Sequence, residues 1–305
     1  MKLIPSCKPG ASGAVSAAAA VATLLLGGCA GGVMDPKGPV GQGNRQIIVD
    51  ATLIMLFIVI PTILLALWMA WRYRASNTKA EYLPYWSFSG RIEAVVWAIP
   101  ILVIMFLSGE IWIGSHRLDP FRPLESDQKP VEVQVVSLDW RWLFIYPEEG
   151  VATVNELVIP AGRPVHFSIT SSSVMNTFFV PQLGSMIYAM NGMVSQLHLQ
   201  ADQPGEFRGI SGQFSGDGFS DMTFRVRSLP ADQYAGWVAS TRGAGPVLDQ
   251  TTYAGLTRQS RDTRPFTFGA VQPDLFNVIA TRQAPPGPGP VAQYGRETTP
   301  ASGEN

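Results

Sequence analysis

At 305 residues, with Lys+Arg 22 against Asp+Glu 23 and a formal net charge of -1, the chain has no basic surplus to offer a nucleic acid. Its two cysteines, Cys7 and Cys29, both precede the first long apolar run, so the rest of the chain has no thiolate for a disulfide, a soft metal or a nucleophile. Targeting and membrane segments take part of the length, which leaves room for one soluble domain of about 100 residues.

The N-terminus reads as an export signal. Lys2 and Lys8 supply the positive start, and residues 14–26 form an apolar core too short to cross a bilayer. The small residues that follow end at Leu26-Gly27-Gly28-Cys29, the pattern of a lipobox, in which the cysteine is acylated and becomes the new N-terminus. Residues 1–28 are thus expected to be a lipoprotein signal peptide and 29–46 a lipid-anchored segment beginning at Cys29. The alternative is an ordinary signal with an incidental cysteine.

Two spans follow. Residues 47–71 carry one charge, Asp50, at their start, and 92–115 have acids only near the two ends, Glu93 and Glu110. Pro61 and Pro100 lie near their centres, tolerable where neighbouring helices satisfy the freed backbone groups. The connector, 72–91, holds Arg72, Arg74, Lys79 and Arg91 with Glu81 as its one acid, which places it in the cytoplasm. Both flanks then face outward, in agreement with a lipid anchor at Cys29.

From residue 131 to 228 the pattern changes to short runs such as "VEVQVVS", "WRWLFIY", "PVHFSIT" and "MTFRVR", separated by Pro and Gly turns. That spacing predicts an antiparallel β-sandwich, with Val131, Val133 and Val135 on one face and Glu132 and Gln134 on the other. Weak helical periodicity then predicts a helical arm over 229–283, packed on the sandwich. Residues 284–305, rich in Pro, Gly and polar residues, are expected to be a disordered tail. The fold class is therefore a membrane α-helical hairpin followed by an all-β domain and a C-terminal arm. The three histidines, His116, His166 and His198, fall in separate segments with no second donor at ligand spacing, and structural roles are expected for them.

Several long strings, in order, resemble subunit II of the heme-copper respiratory oxidases, in the quinol-oxidase branch typified by the cytochrome bo-type enzymes. They are "MDPKGPVG", "IEAVVWAIPIL", "LDWRWLFIYPEEGVATVNEL", "NTFFVPQLGSMIYAMNGM" and "SGQFSGDGFSDM". The resemblance covers roughly residues 25 to 283 and implies a cupredoxin-like sandwich on the periplasmic side of a bacterial cytoplasmic membrane. It also implies a proton-pumping ubiquinol oxidase that reduces oxygen to water. Hemes, active-site copper and quinol would be held by a partner subunit I, with the other small oxidase subunits and membrane lipid as further neighbours. This chain would hold no cofactor and would not be catalytic alone.

In the cytochrome c oxidase branch the sandwich holds a copper pair through Cys-x-Glu-x-Cys-x3-His-x2-Met and an upstream His. Here the matching positions read Ser211, Gln213, Ser215, Phe219 and Met222, with Asn176 upstream. A protonated hydroxyl cannot replace a bridging thiolate, and a phenyl ring has no lone pair, so no metal is expected. Trp140 and Trp142 lie where such relatives accept electrons; without a metal behind them they are expected to be core and interface residues. The resemblance matches Glu93 to the glutamate at the mouth of the K proton pathway. Its alternative reading is a first-turn acid favoured by the helix dipole or paired with Arg91. A copper-bearing subunit II of a cytochrome c oxidase and a freestanding membrane lipoprotein are the rival functions.

Overall fold

The computed structural model describes residues 32–81, 83–262 and 264–289. The signal peptide, Cys29 and most of the C-terminal tail lie outside the described residues.

Long runs of Leu, Ile and Val with no polar face form two helices, α1 (Pro39–Arg72) and α2 (Gly90–Arg117). Most of their apolar side chains are exposed, the arrangement expected where lipid rather than protein covers them. α1 starts earlier than its apolar run, because Pro39 occupies the first helical turn, where a missing N–H costs nothing. At 34 residues it extends about 51 Å, against a hydrocarbon core of about 30 Å, so its first turns stand clear of the bilayer. Those turns join the soluble domain: Val40 and Gly41 are buried, and the Gly41 N–H donates to the Leu183 carbonyl at 3.0 Å. The helices approach closely at Gly114, which faces Ile47, and at Gly43, which faces Leu118.

The domain is a sandwich of two sheets. The first holds β1 (Val131–Ser137), β2 (Trp142–Tyr146), β3 (Val151–Val154), β5 (Val165–Ser171), β8 (Ser195–Leu199) and β12 (Phe266–Phe268), in the order β12-β3-β2-β1-β5-β8. The second holds β4 (Glu156–Pro160), β6 (Asn176–Phe179), β7 (Ile187–Ala189), β9 (Gly205–Ser211) and β10 (Thr223–Leu229), in the order β4-β10-β9-β6-β7. Most pairs are antiparallel, but β1 with β5 and β4 with β10 run parallel, so the expected antiparallel sandwich is a mixed one. Trp142, Phe144, Phe167, Phe178 and Phe224 fill the space between the sheets, with ring centroids 5.2 to 6.4 Å apart. The Tyr146 hydroxyl reaches the same core and accepts from the Val158 N–H at 2.8 Å.

The arm differs from a purely helical one. It holds α3 (Ala231–Thr241), α4 (Gln250–Leu256) and α5 (Leu275–Ala280), but also a small parallel pair, β11 (Val247–Leu248) with β13 (Ala270–Val271). β12, from the same segment, extends the first sheet by pairing with β3. Leu248, Tyr253, Phe268, Leu275 and Phe276 pack against Leu143, Ile145 and Val154 as a second core. The first sheet is thus covered on both faces at β2, which explains why its "WLFIY" is buried throughout instead of alternating. Residues 284–289, expected to begin a disordered tail, are packed: the Gly287 N–H donates to the Ser172 carbonyl at 3.1 Å and the Gly289 N–H to Asp139 Oδ2 at 2.9 Å.

The segment leading into α1 is held by backbone contacts that leave no room for a side chain. A Cβ on Gly38 would lie 1.9 Å from the Gln200 carbonyl oxygen. Gly38→Ala should therefore destabilise the joint between hairpin and domain by about 1–3 kcal/mol, the usual cost of overpacking. It would be read as a lower midpoint for thermal unfolding of the detergent-solubilised chain, and an unchanged midpoint would mean the joint is loose.

Candidate functional site

β9 ends at Ser211 and β10 begins at Thr223, so the connecting segment must turn at the edge of the sandwich beside β6. The hairpin closes at its base, where the Ser211 N–H donates to the Met222 carbonyl at 3.2 Å, and a short 3-10 turn, Phe219–Asp221, returns the chain. β6 lies next to β9 with Phe178 opposite Ser211, which sets Asn176 over the loop. The sequence-matched positions therefore converge. Asn176, Ser211, Ser215 and Met222 are buried, while Gln213 and Phe219 are half-buried on the loop.

Their hydrogen bonds close on one another. Ser211 Oγ donates to Asn176 Oδ1 at 3.2 Å and also lies 3.4 Å from the Gln213 carbonyl, while Asn176 Nδ2 reaches the Val174 carbonyl at 3.5 Å. Ser215 Oγ donates to Met222 Sδ at 3.9 Å, and the Phe219 ring meets exposed Phe214 edge-on at 5.6 Å. A copper pair needs bridging thiolates and imidazoles. This set offers two hydroxyls, two side-chain amides, a phenyl ring and one thioether, so the residues do not fit the binuclear copper of the cytochrome c oxidase branch.

Trp140 and Trp142 both face inward. Trp142 is fully buried, and Trp140, with φ 69, is held in the left-handed region, which a bulky residue adopts only when its surroundings enforce it. Those surroundings are visible. Trp140 Nε1 donates to the Ser215 carbonyl at 2.9 Å, its ring lies so close over Gly218 that a Cβ there would be 2.2 Å away, and the Arg261 guanidinium sits 5.9 Å from the ring centroid. The arm covers this corner through Arg141, whose Nη2 donates to the Leu256 and Arg258 carbonyls at 3.0 and 2.9 Å. Burial lowers the Arg141 pKa, and the nearby Asp262 carboxylate opposes that shift.

Glu93 lies elsewhere. It occupies the first turn of α2, exposed, and accepts from Trp97 Nε1 at 3.2 Å. Among the described residues it forms no ion pair with Arg91. A 28-residue helix separates its ends by about 42 Å, so Glu93 and the sandwich stand at opposite ends of the same element. Asp50, also left without a role, accepts from Gln46 Nε2 at 2.9 Å.

The histidines require a correction. The in-register pairing of β1, β5 and β8 sets Glu132 beside His166 and His166 beside His198. His166 Nδ1 lies 2.6 Å from Glu132 Oε2, the two imidazoles stack at 4.7 Å, and His198 Nδ1 meets the Pro120 carbonyl at 3.1 Å. His166 and His198 thus have the second donor that their spacing in sequence concealed. Stacked rings direct their lone pairs side by side rather than to one point, and no metal-competent group of three or more His, Cys, Asp or Glu occurs among the described residues. The outward position of Glu132 was readable; its alignment with His166 depends on strand register, which was not. His116 stacks on Trp112 at 4.5 Å.

Comparison with known proteins adds sequence relationships to this geometry. The family model described as cytochrome C oxidase subunit II, periplasmic domain, matches residues 109–229. The cytochrome bo(3) ubiquinol oxidase subunit 2 of Pseudomonas aeruginosa is 52% identical over 259 residues, covering 85% of this chain and 78% of the relative. The ubiquinol oxidase subunit 2 of Acetobacter aceti is 50% identical over 85% of each chain. The cytochrome bo(3) ubiquinol oxidase subunit 2 of Buchnera aphidicola subsp. Schizaphis graminum is 47% identical over 84% of this chain and 89% of the relative.

Proposed function

Because the chain belongs to the ubiquinol oxidase subunit 2 family, we propose that it serves its oxidase without carrying electrons, as a membrane-anchored cap with a proton-conducting carboxylate. It is a subunit of an oxidoreductase complex with two membrane-spanning helices and a periplasmic-type β-sandwich. One observation carries the proposal: buried Asn176, Ser211, Ser215 and Met222 form two hydrogen-bonded pairs, Ser211 with Asn176 and Ser215 with Met222, where a redox metal would need thiolates and imidazoles. Electrons from quinol then reach oxygen within a heme- and copper-containing subunit I, and this chain holds no cofactor of its own.

Reduction of oxygen to water consumes four protons with four electrons, so the partner needs a proton supply from inside. Glu93 suits that role, since a carboxyl group at the cytoplasmic end of a span can reach water and face a neighbouring subunit. The Trp97 indole N–H holds Oε2 and leaves the other carboxyl oxygen for water or a partner residue. Acylation of Cys29 would add a third anchor in the outer leaflet of the cytoplasmic membrane, on the side where the sandwich stands.

Purification in mild detergent through a tag on this chain tests the reading. Co-migration with a polytopic, heme-containing subunit and quinol-dependent oxygen uptake are expected. Recovery of the chain alone would support a freestanding lipoprotein, and oxidation of cytochrome c in place of quinol would support a copper-bearing electron acceptor.

A further inference from the structure

Where α2 leaves the membrane, the first turn of α1, the linker after Arg117 and β8 enclose a cavity of about 400 Å3. Its floor is apolar, built by Val40, Leu118 and Leu197. Two guanidinium groups, Arg117 and Arg122, line it together with His198. Arg122 lies 3.5 Å from Glu125 at the rim, and Arg117 has no ion-pair partner among the described residues.

His198 also lines the cavity and is 7% exposed, held in place by Nδ1 donating to the Pro120 carbonyl and by one ring face against His166. Two guanidinium groups on one cavity are suited to an oxyanion. Depth indicates where that oxyanion comes from. If Ile92 to Trp112 fills a hydrocarbon core of about 30 Å, Arg117 stands about 7 Å beyond its edge, within the headgroup layer. The carboxylates of Asp119 and Glu125, which also line the cavity, would suit an ammonium group next to the phosphate.

We propose that this cavity seats the phosphodiester headgroup of an outer-leaflet phospholipid, with Arg117 and Arg122 on the phosphate. The inference rests on α1 and α2 crossing the membrane, and it gives the hairpin-domain joint a lipid as a structural component. Charge-assisted hydrogen bonds from a planar guanidinium are strong enough to select one lipid from the surrounding bilayer.

The test is native mass spectrometry of the full chain released from detergent micelles, titrated with phosphatidylethanolamine. A single saturable adduct is expected, weakened about tenfold in Arg117→Gln/Arg122→Gln and unchanged in Arg258→Gln. Arg117→Lys/Arg122→Lys, which keeps the charge and guards against a folding defect, should recover part of the affinity. Diacylglycerol, which has no phosphate, should bind about tenfold more weakly, and millimolar inorganic phosphate should leave the adduct in place. Equal binding of diacylglycerol, displacement by inorganic phosphate, or a wild-type adduct in the double glutamine variant would each overturn the proposal. Failure of the membrane reading would be seen separately, as a chain that stays soluble without detergent.

Discussion

Glu93→Ala is expected to slow quinol-dependent oxygen uptake on the order of tenfold, short of the roughly 10²-fold or more lost when a group at the reacting atoms is removed. Heme content should be unchanged, because the residue lies at the exposed start of α2 and supports no packing. The expectation follows from placement: a carboxyl group at the inner end of a span, held on one oxygen by Trp97 Nε1 at 3.2 Å, can pass protons between cytoplasmic water and a neighbouring subunit. Glu93→Asp should recover part of the rate, whereas Glu93→Gln, which keeps the indole hydrogen bond but cannot titrate, should resemble alanine. Turnover measured at two pH values separates the roles, since a purely structural carboxyl group would give a uniform loss. Wild-type turnover in the alanine variant would remove Glu93 from the proton path.

The second large effect is a gain. Asn176→His, Ser211→Cys, Gln213→Glu, Ser215→Cys and Phe219→His, with Met222 retained, should give a chain that binds a copper pair with thiolate charge-transfer colour. The geometry supports this, because Ser211 lies 3.2 Å from Asn176 and Ser215 lies 3.9 Å from Met222 on a hairpin whose base is closed by backbone hydrogen bonds. The hairpin brings these positions together. Thiolates and imidazole change both the softness and the charge of the donor set, the properties that decide copper binding. A folded variant that takes up no copper would show that the loop has lost the shape as well as the donors.

Much of this was legible in the sequence, for identifiable reasons. Apolar runs long enough to span, and a connector with four basic residues against one acid, marked the hairpin. The period of two in "VEVQVVS" gave β1, and the preserved spacing from Ser211 to Met222 located the pocket whose side chains the fold joins. What was hidden depends on pairings between distant segments. β1 and β5 align in parallel, which no local pattern reports, so the Glu132, His166 and His198 row went unseen. The arm looked helical because its strands are two or three residues long, too short for a period to register. Residues 284–289 read as disordered by composition, yet the Gly287 N–H donates to the Ser172 carbonyl and the Gly289 N–H to the Asp139 carboxylate, contacts to which composition is blind. Trp140, expected among the core and interface residues, is buried, and its contacts with Ser215, Gly218 and Arg261 come from segments distant in the chain.

The central claim, that electrons do not pass through this polypeptide, is tested most directly by metal analysis and near-infrared spectroscopy of the purified full chain from copper-replete cells. Copper well below one atom per chain and no near-infrared band are predicted. Stoichiometric copper accompanied by such a band would contradict the claim and place the chain on the electron path.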